Sequence, residues 1–295
     1  MGIKSSASDQ WFKVLAYCSV GAAAILCLLP LLITLAVSFS NESLVVRHGY
    51  KLIPEQFSTE TYDFILRSGN NWLLRSYGLS ALVTLAGTAA SLAATSLLAY
   101  GLALKTVRYR QGISFFCYFT MLFSGGLVPW YIVCVNFYHL SNAFISLFLP
   151  YLVSVFLLLV LKSFFSSIPE SLIESARLDG ASDFTIYTRI VLPVSQTAMV
   201  TVGLFYGLQY WNDWFLPLML VTDSNLYTIQ YKLYTILSNT QGLSAGMAQA
   251  AAGTKVPTET VKMATTVLTV VPIMCVYPFV QRYFVKGLTI GAVKG

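Results

Sequence analysis

The chain is 295 residues long, 56% hydrophobic and 10% charged, with a mean hydropathy of +0.69 and a formal net charge of +6. Soluble domains carry about 25% charged residues, so this composition excludes a water-soluble protein and predicts an integral membrane one. The positive balance fits basic loops retained on the cytoplasmic face better than it fits nucleic acid.

Residues 1–13 are polar, with Lys4 and Lys13, and read as a cytoplasmic N-terminal segment. A first apolar run, about 14–39, exceeds the 7–15 residues of a signal-peptide core and reads as a retained span containing Pro30. A polar loop, 40–71, follows, with a short helix from Thr59 to Leu66. The second span, about 72–104, carries Ser80, Thr84, Thr88, Ser91 and Thr95 at helical spacing. Such a small, weakly polar face lets helices pack closely in lipid, and it could also line a pore. The third span, about 113–137, is interrupted by Phe123-Ser124-Gly125-Gly126-Leu127-Val128-Pro129, which should bend or unwind it. The fourth span is about 142–161.

The most charged stretch of the second half comes next, Lys162 to Pro193. Pro169 suits a first helical turn, and Glu170 and Glu174 lie where the helix dipole favours anions. Asp179-Gly180 predicts a turn with glycine at positive φ. Ser182 can cap a second helix, in which Phe184, Ile186, Tyr187 and Ile190 recur at helical spacing. The fifth span, about 197–221, contains the G-x-x-x-G pattern Gly203 to Gly207 and the run Tyr210-Trp211-Asn212-Asp213-Trp214. A polar loop of some forty residues with Lys232 and Lys255 leads to a sixth span, about 263–283. A basic tail with Arg282, Lys286 and Lys294 closes the chain.

Six spans put both termini on one side. Lys105, Arg108 and Arg110 make one short basic loop, and Lys162, Arg177 and Arg189 lie in the stretch after span four. Positives on the other side (Arg47, Lys51, Arg67, Arg75, Lys232, Lys255, Lys262) are diluted by acids over longer loops. The positive-inside rule therefore places both termini and 162–193 in the cytoplasm. Residues 14–295 read as one transmembrane domain with no separate soluble part.

The five cysteines lie in or beside apolar runs with no C-x-x-C pair, and His48 and His139 have no ligand-type neighbours. No metal site is expected. Gradient-driven carriers place ionisable groups in mid-membrane, and here only Asp213 is a candidate. The chain has no G-x-x-x-x-G-K-[ST] loop, so it binds no nucleotide by that route and energy must come from a partner.

Glu174-Ser175-Ala176-Arg177-Leu178-Asp179-Gly180-Ala181, followed by Ile190-Val191-Leu192-Pro193, resembles the E-A-A…G…I-x-L-P motif of bacterial ABC importer permeases; Ser175 departs from the second motif position. Over its full length the chain looks like the carbohydrate-uptake, maltose-permease-like group. Phe119 to Pro129 and Tyr210 to Trp214 look more like the subgroup serving complex oligosaccharides such as alginate and pectin fragments. The resemblance implies an all-α permease with six transmembrane helices, itself no enzyme, in the bacterial cytoplasmic membrane. Its implied partners are a second, homologous permease in a heterodimer, two ATPase subunits holding ATP and Mg, and an extracytoplasmic solute-binding protein. The 162–193 stretch would be the coupling loop, with Glu174, Ser175, Ala176, Arg177, Asp179, Gly180, Ala181, Ile190, Leu192 and Pro193 as its motif positions. Oligosaccharide would pass elsewhere. Aromatics with hydrogen-bonding neighbours suit sugar, so Tyr206, Tyr210, Trp211, Asn212, Asp213 and Trp214 are candidate path residues, with an interfacial aromatic belt as the other reading. No Lys or Arg stands in mid-span, so the sequence offers an acidic sugar no visible partner. Permeases for polyamines or phosphate, and an ion-gradient carrier, are the competing functions.

Overall fold

A computed structural model of the chain describes residues 7–67, 72–242 and 259–292. Lys4, Lys255 and Lys294, named above, lie outside the described residues. Described elements are helices joined by turns, with one antiparallel bridge between Ser40 and Phe57. Among the described residues three helices are long and apolar enough to cross a membrane, and three bent pairs raise that to as many as six. Contacts divide the chain into two units, residues 1–71 with 235–271 and residues 72–234 with 272–295.

The first unit holds α1 (Ala7–Ser38), α2 (Glu42–His48) and α3 (Glu60–Arg67). α2 falls inside the stretch 40–71, which the sequence predicts as a polar loop. It forms because Asn41 caps it through the Ser43 N–H at 3.0 Å, and because Gly49, at φ 76, closes it. Most of α1 is exposed apolar surface, Trp11, Leu15, Val20 and Ile25 among it, as lipid or protein contact in a bilayer requires. The Glu42 carboxylate accepts from the Glu259 and Thr260 N–H groups at 3.0 and 2.8 Å, satisfying orphan donors at the start of the last helix.

The second unit is built on α4 (Trp72–Ala103). After it come α5 (Arg110–Leu122) and α6 (Leu127–Phe137), bent by 116° at the glycine pair, where Gly126 takes φ 88. The 3₁₀ stretch Phe144–Tyr151 and α7 (Val155–Ser166) meet at 57°. Then come α8 (Glu170–Leu178), α9 (Asp183–Val194) and α10 (Gln196–Trp211), with an 84° bend at Ser195 between the last two. α11 (Phe215–Leu220) follows; α12 (Ile229–Gly242) passes from the second unit into the first after Tyr234, and α13 (Glu259–Ala292) passes back into the second after Val271. The helix of the fourth span runs on past 161, because Lys162 to Ser166 continue α7; Leu161 and Phe165 point into the core while Lys162 reaches Ser114 at 2.8 Å. The forty-residue loop is not all loop, since α12 occupies Ile229–Gly242 within it. Thr228 is the overlooked start signal: its hydroxyl accepts from the Tyr231 N–H at 3.3 Å.

The small face of α4 is a packing seam. Ser80, Ser91, Thr95 and Ser96 are buried, and Tyr210, Tyr206 and Tyr187 bring their hydroxyls to Ser91, Thr95 and Ser96 at 2.7, 2.6 and 2.7 Å. Gly87 is obligatory there, since a Cβ would stand 2.9 Å from the Tyr210 ring and 3.0 Å from Phe148 Cβ. Gly203 and Gly207 also face α4, where a Cβ would lie in ordinary contact, 3.6 Å from the side chains of Leu92 and Thr88 respectively. Close backbone approach and buried hydroxyl pairs are how helices associate where lipid gives no hydrophobic drive.

Candidate functional site

The stretch after α7 folds as a helix, a turn and a helix, from local signals. Pro169, which has no N–H to leave unpaired, precedes α8. Glu170 lies in its first turn and pairs with Lys105 of the loop after α4. α8 ends in a Schellman turn: Ala181 N–H donates to Ala176 C=O at 2.9 Å and Gly180 N–H to Arg177 C=O at 3.0 Å. Gly180 sits at φ 80, which L side chains avoid. Ser182 caps α9, accepting from the Thr185 N–H at 3.3 Å. Arg177 Nη2 reaches Asp183 Oδ1 at 3.1 Å and ties the two helices together.

The motif positions sort into two faces. Ala176, Ala181, Ile190 and Leu192, with Ile173, pack against the core containing Ile186, Tyr187 and Val191. Glu174, Ser175, Asp179, Gly180 and Pro193 are exposed, and Arg177 is half-buried. Leu178 and Phe184 are apolar yet 89% and 68% exposed. Neither is among the site positions expected from the sequence, though a leucine at the tip of a charged helix is a signal. Between α8 and the bundle is a cavity of about 370 Å³, lined among others by Tyr100, Lys105, Glu170, Glu174 and Arg177. The Tyr100 hydroxyl is buried beside it without a hydrogen-bond partner.

The aromatic run is not one lining surface. Tyr206 and Tyr210 are 0% and 1% exposed. Besides its bond to Thr95, the Tyr206 hydroxyl accepts from the Ser154 N–H at 2.9 Å, while Tyr210 donates to Phe148 C=O at 3.2 Å. Enclosed on all sides, these two rings offer no face to a sugar, and this corrects their place among the path residues. Trp211 is half-buried, 6.2 Å from the Tyr77 ring. The Asp213 carboxylate accepts from the Phe215 and Leu216 N–H groups, both at 3.2 Å, and so caps α11. Asn212 and Trp214 are exposed.

Trp214 leads instead to α12. Its ring stacks on Tyr234 at 4.4 Å, Tyr234 on Tyr231 at 6.3 Å, and Tyr231 meets Tyr227 edge-on at 4.7 Å. Lys232 Nζ lies 4.8 Å from the Tyr227 ring centre and 5.8 Å from that of Trp72. Burial holds its ammonium pKa below the usual lysine value. α12 is pinned to α4 by Ile229, fully buried, whose N–H donates to Ser80 Oγ at 2.9 Å.

Residues 4–290 match the family model described as binding-protein-dependent transport system inner membrane component. The chain is 38% identical over 287 residues to the polygalacturonan/rhamnogalacturonan transport system permease protein YtcP of Bacillus subtilis (strain 168), covering 97% of this chain and 99% of that one. Protein LplC of the same organism is 36% identical over 278 residues, covering 94% and 92%. A chain from the crystal structure of a bacterial ABC transporter involved in the import of the acidic polysaccharide alginate superposes with a TM-score of 0.82 at 24% identity, covering 96% of this chain and all of that one; this likeness concerns the fold. The chain therefore belongs to the family of binding-protein-dependent transport system inner membrane components: it is a permease subunit of an ABC importer, not an enzyme.

Proposed function

We propose that the protein imports an oligosaccharide, as one half of a permease heterodimer, and that α8 is where work done by the ATPase enters it. The observation that carries the second part is the outward face of α8, with Leu178 89% exposed on a helix whose other face is packed. An apolar side chain held out on a capped, charged helix suits insertion into a groove of another protein. The cavity behind α8 leaves that helix room to shift, while the Lys105–Glu170 and Arg177–Asp183 pairs fasten it at both ends. Groove closure in an ATPase dimer would then move α8, α9 would carry the motion to α4 and α7 through Ile186, Tyr187 and Val191, and the bundle would rock between inward- and outward-facing forms.

This reading sets both termini and 162–193 in the cytoplasm and has an extracytoplasmic binding protein release sugar to the opposite face. ATP and Mg belong to the two ATPase subunits. The oligosaccharide assignment is supported by the relatives, among them the polygalacturonan/rhamnogalacturonan permease at 38% identity. Gly180→Trp tests the coupling role. The variant should insert into the membrane as before, yet fail to retain the ATPase subunit on co-purification or to drive uptake. Normal ATP-driven uptake by that variant would sink the assignment.

A further inference from the structure

We propose that Arg108, Arg110 and Lys162 form a binding site for the phosphate of an anionic glycerophospholipid in the cytoplasmic leaflet, with the acyl chains lying along α5. Three observations carry it. The first is Lys162, a half-buried cation one turn before the end of α7, whose ammonium donates to Ser114 Oγ at 2.8 Å. That contact uses one of its three N–H groups. Among the described residues no carboxylate pairs with Lys162, Arg108 or Arg110, and Glu170, the acid at the start of α8, is taken by Lys105. The second is where these cations stand. Ser114 donates to the Arg110 C=O at 2.7 Å, so it sits between the first turn of α5 and Lys162. Arg108, exposed, lies over the exposed Tyr109 ring at 5.6 Å. The third is α5 itself: none of its residues is buried, and Ile113, Phe115, Phe116 and Phe119 are large, apolar and exposed.

At 1.5 Å per residue, Ser114 and Lys162 lie about 6 Å inside the ends of their helices, the depth at which headgroups give way to hydrocarbon. A lysine at that depth is costly unless it reaches a headgroup or a partner. A phosphate supplies several acceptors for charge-assisted bonds from guanidinium and ammonium together, and basic pockets between spans on the cytoplasmic side hold anionic headgroups in this way. The apolar side of α5 starts within a turn of the cations, which suits acyl chains and does nothing for a free anion. Three cations without a carboxylate favour a net negative headgroup, since a zwitterionic one brings an ammonium that finds no acceptor here. Only the choice of leaflet rests on the topology set out above.

The test uses the complete transporter in proteoliposomes that contain a photoactivatable phosphatidylglycerol, with labelled peptides mapped after illumination. The native chain should be labelled on α5. Unlabelled phosphatidylglycerol should compete, whereas phosphatidylcholine and inorganic phosphate should not. Lys162→Gln should lower the labelling at least about fivefold, the weight of one basic side chain against an anionic headgroup, and Lys162→Arg should restore it. Arg108→Gln, at an exposed side chain, should lower it too and decides the matter if Lys162→Gln fails to fold. Unchanged labelling in both glutamine variants would overturn the proposal. So would competition by inorganic phosphate, which would mean a free-anion site, or equal competition by phosphatidylcholine. Labelling of α5 in the chain alone but not in the complete transporter would give this face to the second permease and overturn it as well. The leaflet is checked separately with Arg108→Cys and a membrane-impermeant maleimide. Reaction from the face where the binding protein docks would overturn the cytoplasmic placement, here and in the proposed function, whatever the lipid labelling shows.

Discussion

The α8–α9 turn and the surface around α12 are built in different ways. In α8–α9 each feature comes from a residue and its near neighbours: Gly180 at φ 80, Ser182 on the Thr185 N–H, Arg177 on Asp183. Around α12 the features come from residues far apart in the chain, such as Trp72 with Lys232 and Trp214 with Tyr234. A locally encoded device can be gripped and moved as a rigid piece. A surface assembled from several helices changes when those helices shift, as they do in alternating access. The difference teaches where each class of mutation should act.

The largest effect is expected from Leu178→Asp, which places a charge where an apolar tip stands exposed. ATP-driven uptake should fall tenfold or more, about 1.4 kcal/mol of lost docking, while thermal stability of the purified chain stays unchanged. An uptake loss accompanied by unfolding would break the claim that α8 faces a partner rather than the chain's own core.

Gly87→Ala comes next and acts on the other kind of structure. Its Cβ meets the Tyr210 ring at 2.9 Å, so overpacking should cost about 1–3 kcal/mol, seen as an earlier thermal transition in detergent. Gly207→Ala, whose Cβ would stand in ordinary contact 3.6 Å from Thr88 Oγ1, should stay within about 0.5 kcal/mol. Equal losses in the two would show that the α4–α10 seam is looser than described. Tyr206→Phe should cost about 0.6–1.5 kcal/mol, because the Ser154 N–H and the Thr95 hydroxyl lose their common partner. A substrate-selective uptake defect with unchanged stability would return Tyr206 to the sugar path.

The smallest effect concerns the exposed loop after α2. Glu55 pairs with Lys51 first and His48 second, and both hold its carboxyl below the ordinary carboxylate range. A folded-state pKa that is lowered stabilises the loop above the unfolded value, and that contribution fades as pH falls through the folded pKa. Protection of this loop's amides, measured against the intrinsic exchange rate at each pH, should therefore fall only in acid, below roughly pH 4. In Lys51→Met the fall should begin at higher pH. An unshifted onset would remove the Lys51 pair from the account.

How much of this the chain discloses in advance follows the same division. The turn at Gly180, the cap at Ser182 and the break at Gly125-Gly126 were readable, since glycine at positive φ and hydroxyl caps are properties of a few adjacent residues. The hydroxyl repeat on α4 was readable as a face but not in purpose. Its role depends on Tyr187, Tyr206 and Tyr210 arriving from other helices. The aromatic run misled for that reason: Tyr206 and Tyr210 lie on the inward side of α10, and burial is invisible to a pattern of residue types. α12 went unread because its polar composition outweighed its start signal at Thr228.

The central claim is that α8 faces the ATPase while the surface at Trp214 lies on the opposite side. Its most direct test is paired cross-linking. In a chain freed of its five native cysteines, Leu178→Cys and Trp214→Cys are each treated with a short thiol cross-linker in membranes holding the complete transporter. The account predicts that Leu178→Cys links to the ATPase subunit, with a yield that changes on adding ATP, and that Trp214→Cys does not. Cross-linking of Trp214→Cys to the ATPase, with none from Leu178→Cys, would contradict it.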